Sequence, residues 1–202
     1  MKPIYSLLNS RAINVLSALT RKNLAGLILA FTTLFAVTLH AQASENGSLP
    51  GLINERLSYM KDVASSKAEH HQPVEALEQE EKVLQATQKT AEGLGLDPQS
   101  IKPFIVAQMS AAKAIQYRYR ADWLASPEDS WKPRPLEEIR KSIAALSDQI
   151  LHRLADELKA SGKISPDSQA EFIAEIQQKN LGKADKVQLF KTLEQVRLKD
   201  TH

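Results

Sequence analysis

The chain has 202 residues, a quarter of them charged, with a formal net charge of +2 and no cysteine. Lacking cysteine, it has neither a disulfide framework nor thiol catalysis. Its small net charge and scattered basic residues leave no footprint for nucleic acid.

Lys2, Arg11, Arg21 and Lys22 precede an apolar run from Leu24 to Leu39 that ends in Ala41-Gln42-Ala43. A positive leader, an apolar stretch and a small-residue cleavage site describe a secretory signal peptide. The run is about 16 residues, short for a membrane span of about 20. The expected division is a signal peptide over 1–43 and one helical domain over 44–202. Such a product is periplasmic or secreted, with no stable membrane association after cleavage. An uncleaved membrane anchor is the competing reading.

The rest reads as all-α. Only 7 glycines occur, alternating strand patterns are absent, and strong helix formers dominate. Helix one covers about Pro50 to His71 and breaks at Gln72-Pro73. Helix two covers about Val74 to Leu94, ending near Gly93 and Gly95. Asp97-Pro98 supplies an N-cap and a first-position proline for helix three, about Pro98 to Leu124. Ser126 to Pro135 is a proline-rich connection, either a mobile loop or an ordered strap. Helix four covers about Leu136 to Ser161. Ser165-Pro166 opens helix five, which Gly182 ends, and helix six covers about Ala184 to Leu198. A six-helix bundle is the natural architecture.

Polar residues interrupt the apolar stripes of the first four helices. Ile53, Arg56, Met60, Val63 and Lys67 follow a 3, 4, 3, 4 spacing, the core stripe of an amphipathic helix. Arg56 and Lys67 therefore face nearly the same way, about 16 Å apart along the axis. Glu80 lies between Leu77 and Leu84. Gln116 sits in a seam with Ile105, Met109, Ala112, Tyr119 and Trp123. Arg140 neighbours Ile139 and Ile143. Any one of these side chains could reach out to water along a stripe edge. Three cations, a carboxylate and an amide converging inside a bundle would suit a small dianion carrying a hydroxyl, since guanidinium forks clamp carboxylates well. The adjacent His70 and His71 point in different directions on a helix, so no metal site is expected. No nucleophile–base pair or glycine-rich phosphate loop is present. Chemistry by positioning and electrostatics is favoured.

These residues resemble the all-helical chorismate mutases, in particular their exported, periplasmic subclass. The matching pieces are Asn54-Glu-Arg-Leu57, Lys67, Gln72-Pro-Val-Glu75, Glu80-Glu-Lys-Val-Leu84, Ala114-Ile-Gln-Tyr117, Ala121-Asp-Trp123 and Arg140-Lys-Ser-Ile143. The resemblance implies conversion of chorismate to prephenate by a Claisen rearrangement, with no cofactor and no covalent intermediate. It implies that Arg56 and Arg140 clamp the two substrate carboxylates, that Lys67 and Gln116 donate to the ether oxygen, and that Glu80 accepts from the ring hydroxyl. Among partners it implies chorismate and a homodimer as one arrangement of the chain. Three positions depart from the family pattern: Ala76 stands where an aspartate is frequent, Gln79 at a substrate-binding position where an arginine is frequent, and Ala112 where a small hydroxyl residue is frequent. A paralogue of impaired activity, binding dicarboxylates or a protein partner, is the alternative these departures raise.

Overall fold

In the computed structural model, residues 47–128 and 130–200 are described. The leader and its cleavage site lie outside them. The described residues form seven α-helices and one short 3-10 turn, with no strand among them.

Helix α1 (Leu49–Ser58) starts at the Ser48 N-cap, whose hydroxyl accepts from the Gly51 N–H, with Pro50 in the first turn. Helix α2 (Met60–Glu69) follows after Tyr59 alone, whose helical backbone (φ −74°, ψ −10°) keeps the two nearly in line. Counted as one interrupted helix, the pair makes this a six-helix bundle. Ile53 and Met60 of the expected stripe are buried and Val63 is half-buried, with Leu57 buried beside them.

The α2–α3 turn is tight. His71 sits in the left-handed region at φ 51°, which costs a non-glycine residue about 1–2 kcal/mol. Val74 anchors the turn in the core. Helix α3 is Leu77–Gly93, three residues later than the expected start at Val74. Two side chains hold the backbone outside the helix. Lys67 Nζ donates to the Val74 carbonyl at 2.6 Å, and the Ala76 N–H donates to Glu80 at 3.1 Å. Leu77, read as part of an apolar stripe, is exposed, whereas Leu84 is buried.

Helix α4 (Pro98–Ala125) is capped by Asp97, which accepts from the Gln99 N–H. Helix α5 (Leu136–Ser161) has the bounds read for helix four and closes on Gly162 at φ 75°. Glycine takes that conformation without strain. The 3-10 turn Pro166–Ser168 leads into α6 (Gln169–Glu175). Helix α7 (Lys183–Leu193) is shorter than the expected helix six. Beyond it the tail pairs with the α3–α4 corner. Leu198 bridges Leu96, the Asp97 N–H donates to the Arg197 carbonyl at 2.9 Å, and the Lys199 N–H donates to Gly95 at 2.9 Å.

The long helices α4 and α5 organise the bundle. Helix α4 packs on α2, α3 and α7, and α5 packs on α1, α2 and α3. Phe104, Ile115, Ile150, Leu154 and Phe190 are fully buried among them. Each such side chain contributes about 1.5–3 kcal/mol on leaving water. Phe172 of α6 meets Phe190 of α7 edge to face at 5.3 Å.

The proline-rich connection between α4 and α5 is an ordered strap along α2. Lys61 Nζ pairs with Glu128 at 2.6 Å and lies 3.7 Å from the centre of the Trp131 ring. Arg134 stacks over Tyr59 at 4.2 Å and bonds the buried Asp62 through Nε at 2.7 Å. Four contacts thus fix the described residues of the strap just ahead of α5 and its Arg140.

Candidate active site

Polar residues on the packed faces of α1 to α5 make up the group, in two parts: Arg56 with Ser147, and Lys67 with Glu80, Lys113 and Arg120. Arg56 of α1 is buried, at 9% exposure. Its Nε donates to the Ser147 hydroxyl of α5 at 3.0 Å, and that hydroxyl donates to the Ile143 carbonyl at 2.7 Å. One turn further along from Arg56, Met60 accepts a long contact from Gln116 Nε2 of α4 at 3.7 Å. Gln116, 5% exposed, also donates to the Ala112 carbonyl at 3.2 Å.

On α4, Lys113 precedes Gln116 by three residues and Arg120 follows it by four. At that spacing the three side chains share one helix face. Lys113 Nζ pairs with Glu80 of α3 at 2.9 Å. Arg120 donates through Nη2 to the Gln72 carbonyl at 2.6 Å. Lys67 of α2, bonded to Val74, lies among these charges.

The electrostatics follow from this crowding. Burial first, then the Arg120 charge, draw the Lys67 ammonium below the ordinary lysine range. Glu80 pulls it back up, and Arg140 and Lys113 add to the lowering. Burial alone draws the Arg56 guanidinium down to about 10, so it stays charged at neutral pH. Burial pushes the Glu80 carboxyl up, but the Lys113 hydrogen bond, the Ala76 N–H and the charges of Lys113 and Lys67 outweigh it. Glu80 ends below the usual carboxylate range.

Three buried side-chain atoms have no hydrogen-bond partner among the described residues: Arg56 Nη1, Gln116 Oε1 and Arg120 Nε. Buried polar atoms are nearly always paired, and each unpaired one costs about 1–3 kcal/mol. All three belong to this one group. Its net character is cationic, with one carboxylate already engaged by Lys113. An anion with several oxygen acceptors complements it.

Of the residues singled out in the sequence, Arg56, Lys67, Glu80 and Gln116 belong to this group. Arg140 stands in the second turn of α5, near enough to Lys67 to repel it, and its side chain is exposed. Gln79 is exposed in the first turn of α3; among the described residues no hydrogen bond joins it to the group. Sequence reasoning missed Lys113, Arg120 and Ser147. The signal for the first two was present, since they flank Gln116 at −3 and +4.

A separate cleft of about 200 Å³ lies where α1, α5, α6 and α7 meet, lined by Ser48, Pro50, Glu157, Phe172, Glu175 and Phe190 among others. It contains none of the cations of the group.

A family model described as chorismate mutase type II matches residues 47–117. A protein of Yersinia pestis called secreted chorismate mutase is 50% identical over 181 residues, covering 90% of this chain and 97% of the relative. A monofunctional chorismate mutase of Enterobacter agglomerans is 40% identical over 150 residues, covering 74% of this chain and 82% of the relative. The crystal structure of the secreted Yersinia pestis enzyme superposes with a TM-score of 0.71 at 52% identity, over 77% of this chain and 100% of that one. A chorismate mutase structure from Burkholderia phymatum, 20% identical, shares the fold at a TM-score of 0.62, over 72% of this chain and 93% of that one.

Proposed function

From the premise that the chain belongs to the type II chorismate mutase family, we propose that its buried cation group is where chorismate is bound and rearranged to prephenate. The observation that carries this reading is the pair of buried donors without partners, Arg56 Nη1 and Arg120 Nε, together with the Lys67 ammonium that Arg120, Arg140 and Lys113 crowd. A fold that leaves donors desolvated and unpaired has them ready for a ligand's acceptors, without reorganisation at the moment of reaction.

In the Claisen rearrangement one C–O bond breaks as a C–C bond forms, and no proton leaves the substrate. The ether oxygen gains negative charge as its bond lengthens. Lys67 carries a full positive charge and three N–H donors, one of them on Val74. Gln116 now directs an amide hydrogen at the Met60 sulfur, a weak acceptor at 3.7 Å. Exchanging that contact for the ether oxygen loses little. Donors that meet developing charge stabilise the transition state more than the ground state. Arg56 grips one carboxylate through its free Nη1, held in place by its Nε bond to Ser147. Arg140 closes on the other from the solvent side. Glu80, kept ionised by Lys113, accepts from the ring hydroxyl. Holding the substrate compact contributes by positioning alone.

The family relative named as secreted supports export of this chain too, with processing after Ala43 giving the 44–202 product. The test of the function uses protein produced from the full-length coding sequence and follows chorismate loss and prephenate appearance. Turnover at enzymatic rates is expected. Wild-type protein that leaves chorismate to its uncatalysed rearrangement would overturn the reading.

A further inference from the structure

Arg120 has no part in the site as the family resemblance describes it, yet its surroundings are unusual. It follows Gln116 by one turn of α4. Its Nη2 donates to the Gln72 carbonyl at 2.6 Å, and Lys67 Nζ donates to the Val74 carbonyl, two residues on, at 2.6 Å. The same short turn, with its left-handed His71, therefore carries the anchors of two cations from different helices. Like charges held together in a part-buried place repel strongly, because the local dielectric is low.

Nothing among the described residues relieves that repulsion at Arg120. Lys113, on the same helix face, has Glu80 at 2.9 Å, and the exposed arginines Arg134 and Arg118 have Asp62 and Asp185. No carboxylate pairs with Arg120 among the described residues, and its buried Nε has no acceptor. An arginine whose role was only to hold the turn would be satisfied by the turn. Its charge depresses Lys67 more than any other neighbouring charge does, in keeping with the two anchors on one turn.

We propose that Arg120 is a substrate-binding residue of this enzyme, taking a carboxylate of chorismate through its Nε–H next to Lys67. This rests on the reading of the group as the chorismate site. It supplies from α4 the cation that the family resemblance looks for on α3, where Gln79 stands exposed. One carboxylate arriving between Arg120 and Lys67 satisfies the orphaned donor and removes the repulsion in a single step. Arg120 then acts mainly on binding, and Lys67 on the breaking bond.

The experiment compares full-length-derived wild type with Arg120→Gln, Arg120→Ala and Arg120→Lys, measuring KM and kcat for chorismate and the Tm of each protein. Glutamine keeps an N–H donor for the Gln72 carbonyl while deleting the charge. The expected result is a KM raised about ten- to a hundredfold in Arg120→Gln, with a smaller change in kcat, the range of a lost charged hydrogen bond. Arg120→Lys restores the charge without the fork and lies between. Added guanidinium ion lowers the KM of Arg120→Ala. Should alanine fail to fold, the glutamine and lysine proteins carry the test. A KM within twofold of wild type in Arg120→Gln, with Tm alone reduced, would make Arg120 a strut of the turn and overturn the proposal. An active wild type with that result sinks only the Arg120 assignment; an inactive wild type sinks the chorismate reading and this proposal with it.

Discussion

Two buried polar clusters lie along α2, and the fold treats them in opposite ways. At its first turn, Asp62 is 1% exposed and fully answered, by the Arg134 side chain at 2.7 Å and, more loosely, by the Arg134 N–H at 3.4 Å. At its last turn, Lys67 stands among Arg120, Arg140 and Lys113 with one carboxylate nearby, and the buried Nε of Arg120 lacks a partner among the described residues. The first cluster holds structure together, so its charges cancel. The second leaves charge and hydrogen-bonding capacity unanswered among the described residues. Saturation separates the two polar clusters within a single ten-residue helix.

The contrast breaks most readily at Lys67. Lys67→Ala is expected to lower kcat by about 10²–10³, the range for removing one donor at a developing oxyanion, while Tm holds or rises because a crowded charge is gone. Steady-state kinetics and a thermal melt on the same sample check both halves. Most of the mutase activity surviving would remove Lys67 from the chemistry.

Arg134→Ala should show the mirror image. It strands Asp62 in the core, so stability is expected to fall by about 1.5–3 kcal/mol, the range for a charged hydrogen bond, at the lower end because Arg134 itself is half exposed. Since the strap leads into α5 and Arg140, kcat/KM should drop less than tenfold. Denaturant titration gives the first figure and an activity assay the second. A stable but inactive Arg134→Ala would erase the distinction between the clusters.

The pH profile sharpens the comparison. Lys67 must be protonated to act, and its pKa is lowered, so kcat/KM, which reports the free enzyme, should fall on the alkaline side below an ordinary lysine's ~10.4. Glu80 must be ionised, and its pKa is lowered, so the acid limb should lie below the usual ~4.3. Between roughly pH 5 and 8 the profile is flat, since the Gln116 amide does not titrate. Gln116→Glu should add an acid-side dependence, with activity kept only where the new carboxyl is protonated. An unchanged profile in that variant would take Gln116 away from the ether oxygen.

The sequence carried the fold further than the site. Helix α5 has the bounds read for helix four, and the proline strap falls where it was read. Helix α3 begins late because Lys67 and Glu80 bond the backbone before it, and a propensity scan of one segment does not see side chains from another. Arg56, Lys67, Glu80 and Gln116 were legible because each sits beside apolar residues at helical spacing. Lys113 and Arg120 were passed over although they flank Gln116 at helical spacing, because on α4 alone that spacing does not tell a buried polar position from a solvated one. Only the α2–α3 turn and Glu80, brought against α4, bury them. Asp62 and Arg134 are 72 residues apart, and nothing local to either marks the pair.

The smallest effect is expected where the sequence looked deficient. With Arg120 added to Arg56, Lys67 and Arg140, Gln79→Arg should change KM by less than about threefold, well under the ~1.4 kcal/mol that makes a tenfold change. A large improvement in KM would mean the pocket is a charge short after all, and that Arg120 does not fill the gap.

The clasp between the α3–α4 corner and the tail joins Ser100 to Arg197 across 97 residues. Arg197 and Leu198 leave the ribosome after every residue of the cation group. Leu96 and Val196, both buried in the finished fold, wait until then for their neighbours. Pairing so distant in sequence forms late, because the intervening loop must first be closed against its entropy. The growing chain thus carries every residue of the cation group well before Arg197 and Leu198 can close that corner.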